Sequence, residues 1–138
     1  MGRILCLGFY SRANLGDDMF KEVIPLLVPD YYCDFVCTDD FRGDVSVYDA
    51  ILCGGGDIVN RYFFSKLERI LKGFVGPVYL LGVGIPYPSM LEDPSLNLFD
   101  HFFLRESTDL RALSRRFGTR YVHLLPTPDG PCDGNPCR

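Results

Sequence analysis

No uninterrupted apolar run in the 138 residues approaches the roughly 20 that a membrane helix needs, so no membrane span is expected. A basic excess is missing too. Lys and Arg number 14 against 18 Asp and Glu, for a formal net charge of -4. A surface that tracks phosphates needs the opposite balance, which argues against nucleic acid and against an anionic membrane as partners. The start, Met1 to Gly8, is too short an apolar stretch for a signal peptide and lacks a small-residue cleavage site. Gly2 does not open a myristoylation signal, because Cys6 stands where Ser or Thr is required. There is no Asn-x-Ser/Thr acceptor. A cytoplasmic setting is the expectation.

What is present suits one packed domain. Hydrophobic residues make up 47% and aromatics 14%, enough for a real core and too short a chain for two. Four of the six cysteines, Cys6, Cys33, Cys37 and Cys53, fall among apolar neighbours in predicted strands and read as small buried hydrophobes. Cys33 and Cys37 share a strand face but lie about 13 Å apart at ~3.3 Å per residue, too far to bridge. Cys132 and Cys137 belong to a Pro/Gly-rich tail and would close a small loop only if oxidised. A Cys pair without His is no zinc signature. The predicted boundaries are a domain over residues 1–129 and a loosely attached tail over 130–138.

Apolar runs alternate with amphipathic segments. Strands are predicted at Ile4–Phe9, Tyr32–Cys37, Tyr48–Cys53, Val78–Val83, His101–Leu104 and Arg120–Leu125. A helix is predicted from Gly16 to Leu27, with a kink or an early stop at Pro25. A second carries the stripe Val59, Phe63, Leu67, Ile70 and Leu71, which Lys66, Glu68, Arg69 and Lys72 avoid. A third, capped by Ser107, carries Leu110, Leu113 and Phe117 and stops at Gly118. Thr38 to Asp44 reads as a polar loop, and Ser89 to Leu98 as a loop or a short helix. Such alternation predicts a doubly wound α/β fold: about six strands, mostly parallel, with helices on both faces. Ile-Leu-Cys-Leu, Ala-Ile-Leu-Cys and Val-Tyr-Leu-Leu are continuous apolar runs, as burial on two sides requires.

In a parallel sheet every strand-to-helix loop leaves the same edge, and ligands bind in the crevice outside it. Four unusual loops take such positions: Gly8–Asp17, Gly54–Asp57, Gly84–Pro88 and Arg105–Ser107. The first fits neither the Gly-x-Gly-x-x-Gly fingerprint nor a Walker loop, so no nucleotide cofactor is expected on it. Asn14 and Asp17 suit either helix capping or hydrogen bonding to a ligand, and Gly16 permits a tight turn. Gly54, Gly55 and Gly56 imply close backbone approach to a ligand or a neighbouring loop. Asp57 is either the cap of the next helix or a carboxylate for hydroxyls. Gly84 gives permissive backbone at a strand end. Arg105 is either paired with Glu106, Asp100 or Asp109, or faces a phosphate or carboxylate. His101 and His123 lie in or beside strands, where packing roles are expected. No Ser/His/Asp or Cys/His set is apparent.

At these positions the chain resembles the polysaccharide pyruvyl transferase family. The resemblance is carried by Asn14-Leu15-Gly16-Asp17-Asp18, by Tyr48 to Gly56, by Gly82-Val83-Gly84-Ile85-Pro86, by Phe103-Leu104-Arg105-Glu106 and by Leu124 to Asp129, in that order. Asp18 stands where the family often has Glu, Glu106 where it often has Asp, and Asp109 where Ser is common. The resemblance implies a Rossmann-like N-terminal lobe of a GT-B-like architecture. It implies transfer of a pyruvyl group from phosphoenolpyruvate, as co-substrate, to a sugar of a glycan, sugar-nucleotide or lipid-linked acceptor. It further implies that a second lobe, or a second copy of the chain, supplies the opposite cleft wall. The competing expectations are a non-catalytic carbohydrate-binding or assembly module derived from such a lobe, and an unrelated small Rossmann-like enzyme.

Overall fold

Continuous apolar runs favour strands because both of their faces can be buried, and a strand forms at each of the six predicted positions. The computed structural model describes residues 2–8, 15–54, 60–83, 88–104, 107–119 and 121–124. Within them lie strands β1 (Gly2–Gly8), β2 (Tyr31–Cys37), β3 (Ala50–Gly54), β4 (Val78–Val83), β5 (His101–Leu104) and β6 (Val122–Leu124). The helices are α1 (Leu15–Leu27), α2 (Arg61–Ile70) and α3 (Ser107–Phe117). The strands form one sheet in the order β2-β1-β3-β4-β5-β6, parallel at every pairing. This is a Rossmann-like α/β fold. No helix among the described residues is long and apolar enough to cross a membrane.

Connection chirality explains how the helices are shared out. The step from β1 to β2 runs one way along the sheet and every later step runs the other way. Right-handed crossovers therefore send α1 to one face and all later connections to the opposite face. The packing agrees. Leu5, Leu7, Ile51, Leu80, Phe102 and Leu104 point into a large cluster with Phe63, Phe64 and Leu67 of α2 and Leu113 of α3. On the other face, Ile4 and Cys6 meet Ile24 of α1, with Ala50, Leu52 and Leu81 packed alongside. Helices thus lie on both faces, unequally.

Three local expectations are refined. Helix α1 continues through Pro25 to Leu27. Pro25 lies two residues from the helix end, so the backbone donor it lacks costs one late-turn hydrogen bond and does not stop the helix. Tyr48 falls outside β3, since Tyr48 N donates to Val45 O and closes a 3-10 turn over Val45–Val47. Ser89 to Leu98 is neither plain loop nor α-helix. It is two 3-10 turns, Pro88–Glu92 and Pro94–Leu98, the second capped by Asp93, whose side chain accepts from Ser95 N. Helix α2 starts at an Asn60 cap that accepts from Phe63 N at 2.8 Å. Gly118, the predicted stop of α3, has φ of 88°, and Gly73, which follows α2, has φ of 83°. Cys6, Cys33, Cys37 and Cys53 all sit in strands and are free thiols. Cys132 and Cys137 lie outside the described residues.

Candidate functional site

Strand order reverses between β1 and β3, which makes the crevice beyond their carboxyl ends the expected ligand position in this fold. Leu7 pairs with Cys53, and Gly54 pairs with Leu81, so β1, β3 and β4 end side by side. Buried Thr38, the residue after β2, donates from Oγ1 to the carbonyl of Gly8 at 3.3 Å and ties the end of β2 to that of β1. Gly54 is the buried last residue of β3. Gly16 and Asp17 lie in the first turn of α1. Arg12, Asn14, Gly55, Gly56, Asp57, Gly84 and Arg105 lie outside the described residues. The strands that lead towards them, β1, β3, β4 and β5, are consecutive neighbours that all run one way.

Cys6 and Cys53 are poorly suited to act as nucleophiles. Burial pushes Cys6 and Cys53 far up from the ordinary thiol range, which leaves them protonated and inert. Two charged clusters hold elements together. In the first, Asp34 Oδ2 accepts from Arg3 Nη2 at 2.7 Å and from Tyr48 Oη at 2.8 Å. The Arg3 hydrogen bond, then that of Tyr48, holds the Asp34 carboxyl below its usual range. In the second, Arg61 Nη1 donates to both carboxylate oxygens of Asp93 at 2.9 Å and to Ser95 Oγ at 3.1 Å, while Ser95 Oγ meets Glu68. Arg116 Nη1 donates to the carbonyls of Leu91 and Asp93. This cluster joins α2 and α3 to the 3-10 turns. Burial pushes Asp93 up, but hydrogen bonds from Ser95 and Arg61 outweigh it and leave the carboxyl lowered. Asp100, considered above as a partner for Arg105, accepts from Val78 N at 2.8 Å.

Two features escape a reading by motif. The first is a cavity of about 490 Å³ between the segment after β2 and the polar side of α2. Thr38, Asp39, Arg42, Lys66 and Arg69 line it, with Phe41 and Ile70 as apolar wall. The rule that singles out the four loops applies equally to Thr38–Asp44, which also leaves a strand's carboxyl end; that is the signal that could have found it. The second lies on the α1 side of the sheet. Tyr79, His101, Phe103, Tyr121 and His123 form a continuous ring cluster there, with centroids 4.8 to 6.4 Å apart. His101 Nδ1 and His123 Nε2 are 3.3 Å apart, and their centroids 5.6 Å. That difference matches two rings lying edge to edge in an N–H···N hydrogen bond. No group of three or more metal-ligating side chains occurs among the described residues. The histidines do pack, as expected, on the face where α1 is the one helix among the described residues.

A scan against protein-family models matches none, and a search of curated proteins returns no match.

Proposed function

We propose that the chain is a transferase lobe that moves a pyruvyl group from phosphoenolpyruvate to a sugar of a glycan, in a cytoplasmic setting. A second lobe or a second copy would complete the cleft. The observation that carries this reading is positional. The blocks that resemble pyruvyl transferases follow β1, β3, β4 and β5, parallel strands whose carboxyl ends share one edge.

The chemistry asks for few groups. Protonation of the enol methylene makes a methyl group and a cation at the adjoining carbon. Two acceptor hydroxyls add to that carbon, its bond to the phosphate oxygen breaks, and a ketal and inorganic phosphate result. An acid is needed at the first step, and positive charge for the carboxylate and departing phosphate. Arg12 and Arg105 supply that charge. Asp17 and Asp57 orient or deprotonate hydroxyls, Asn14 hydrogen-bonds the acceptor, and Gly16, Gly54, Gly55, Gly56 and Gly84 let backbone approach it.

The test is phosphate release from phosphoenolpyruvate in the presence of lipid-linked or nucleotide-linked sugar acceptors, with the chain alone and with any co-purifying second lobe. Acceptor-dependent release that falls at least tenfold in Arg105→Ala is expected. Release that never depends on an acceptor overturns the reading. A second reading, a non-catalytic carbohydrate-binding or assembly module, draws on the open aromatic face, since sugar rings stack on such side chains. Sugar binding without turnover, abolished by Tyr121→Ala, would favour it.

A further inference from the structure

The cavity beside α2 carries charge of the wrong sign for its molecule. The chain has a net charge of -4. Among the described residues, the cavity lining holds Arg42, Lys66 and Arg69 against one carboxylate, Asp39. Lys66, Arg69 and Ile70 follow at helical spacing of three and four, so α2 presents them on one side. Tyr62, one turn earlier, continues that side: Lys66 Nζ lies 4.9 Å from its ring centroid. Across the cavity, Asp39 Oδ1 accepts from Tyr62 Oη at 3.0 Å and pairs with Lys66 Nζ at 3.4 Å. Asp39 thus fixes Lys66 in place.

The other two are differently held. Arg42 Nη1 donates to the carbonyls of Asp39 at 2.9 Å and Phe41 at 3.0 Å, which anchors the guanidinium by one corner. Its other donors make no hydrogen bond among the described residues. The Arg69 side chain has neither ion pair nor hydrogen bond among them. Two guanidiniums lining one cavity, with no carboxylate paired to them among the described residues, leave forked donors of the kind that phosphate oxygens accept from. The volume is that of a small-molecule site rather than a single ion, and Phe41 and Ile70 give it an apolar wall.

We propose that this cavity binds a phosphorylated small molecule, with its phosphate on Arg42 and Arg69, Lys66 adding charge and Asp39 facing the ligand's hydroxyls. Among the described residues its lining, within 38–43 and 66–70, includes none of the residues given a role in pyruvyl transfer. Its occupancy does not depend on whether the chain transfers a pyruvyl group.

The experiment is a titration of the full chain with inorganic pyrophosphate and with glucose 1-phosphate at constant ionic strength, followed by amide chemical shifts. Saturable shifts in residues 38–43 and 66–70 are expected, with tighter binding of the sugar phosphate. Arg42→Ala and Arg69→Ala are each expected to weaken it at least fivefold, and Arg69→Lys less than Arg69→Ala. Both arginines are exposed, so the variants keep the fold, and unchanged thermal midpoints verify it. Lys72→Ala, a cation outside the cavity, should leave affinity unchanged. Shifts that do not saturate, or an equal loss in Lys72→Ala, would mean a diffuse field and overturn the site. Binding of a long polyanion with none of either small probe would overturn it as well.

Discussion

Asp34 is a carboxylate placed mid-strand in β2, opposite Leu5 of β1, where neighbours are mostly apolar. It is tolerated because Arg3 and Tyr48 meet the same oxygen. Its folded-state pKa is lowered, first by the Arg3 hydrogen bond and then by that of Tyr48. The sign follows from linkage. A depressed carboxyl contributes stability above its unfolded pKa, about 3.9, and loses it as pH falls through the lower folded value. Asp34→Asn should therefore cost more at pH 7 than at pH 3, and the two denaturation curves should converge in acid. The side chains of Arg3 and Asp34 are 46% and 38% exposed, so solvent screening keeps the cost at pH 7 below about 1 kcal/mol. A gap between the curves that stays constant from pH 7 to pH 3 would refute the linkage. Tyr48 is the corollary. Burial, and next the hydrogen bond to Asp34, push its phenol up, so it remains a donor to Asp34 across the physiological range.

Elements end here for reasons that differ in how visible they are beforehand. Helix α3 stops at Gly118, whose φ of 88° belongs to the left-handed region and whose N–H reaches back to Ser114 O at 2.8 Å. An added Cβ there would meet nothing within 4 Å. Gly118→Ala therefore tests backbone strain alone, and a loss of about 1 kcal/mol is expected in chemical denaturation. Gly76 differs, since its Cβ would come within 2.8 Å of the Asp49 carbonyl, so alanine there clashes with backbone instead. Stops of the Gly118 kind are legible because one residue type signals them. So are Val78–Val83 and His101–Leu104, whose apolar runs coincide with β4 and β5. The segment 88–98 is not legible in this way. Pro88 and Pro94 interrupt helical periodicity, while Met90, Leu96 and Phe99 are buried by contact with the sheet cluster. The candidate site divides likewise. The shared rim follows from strand direction, which the alternation of patterns already implies. The cationic cavity depends on residues 38–43 lying against α2; strand direction puts 38–44 at the rim, but the pairing with α2 is tertiary, and Lys66 and Arg69 read only as the solvated side of a helix.

At the scale of the molecule, the governing fact is that chirality and strand order distribute the helices unequally. Among the described residues, one face of the sheet receives α2, α3 and the 3-10 turns, and the other receives α1. Parallel sheets are ordinarily covered on both faces, and the apolar character of β3, β4 and β5 fits that requirement. Yet beside α1 lies an open groove of about 430 Å³, lined by Ile24 and Leu27 of α1 and by Leu52, Leu81 and Phe103 of the sheet. Leu27 is 69% exposed at its rim. An apolar groove of this size should take up an uncharged solvatochromic dye such as Nile red in the native state, and a neutral probe does not compete for the cationic cavity. Dye fluorescence is expected to rise on mixing with folded protein, and to fall at least threefold in Leu27→Gln. Because Leu27 is exposed, that substitution should move the unfolding free energy by less than about 0.5 kcal/mol. Val47→Gln, at an exposed valine away from the groove, should leave the fluorescence unchanged. Equal fluorescence from all three proteins would mean that the groove is closed to solvent. The sheet would then be covered on both faces, and the asymmetry derived from its connections would not describe the molecule in solution.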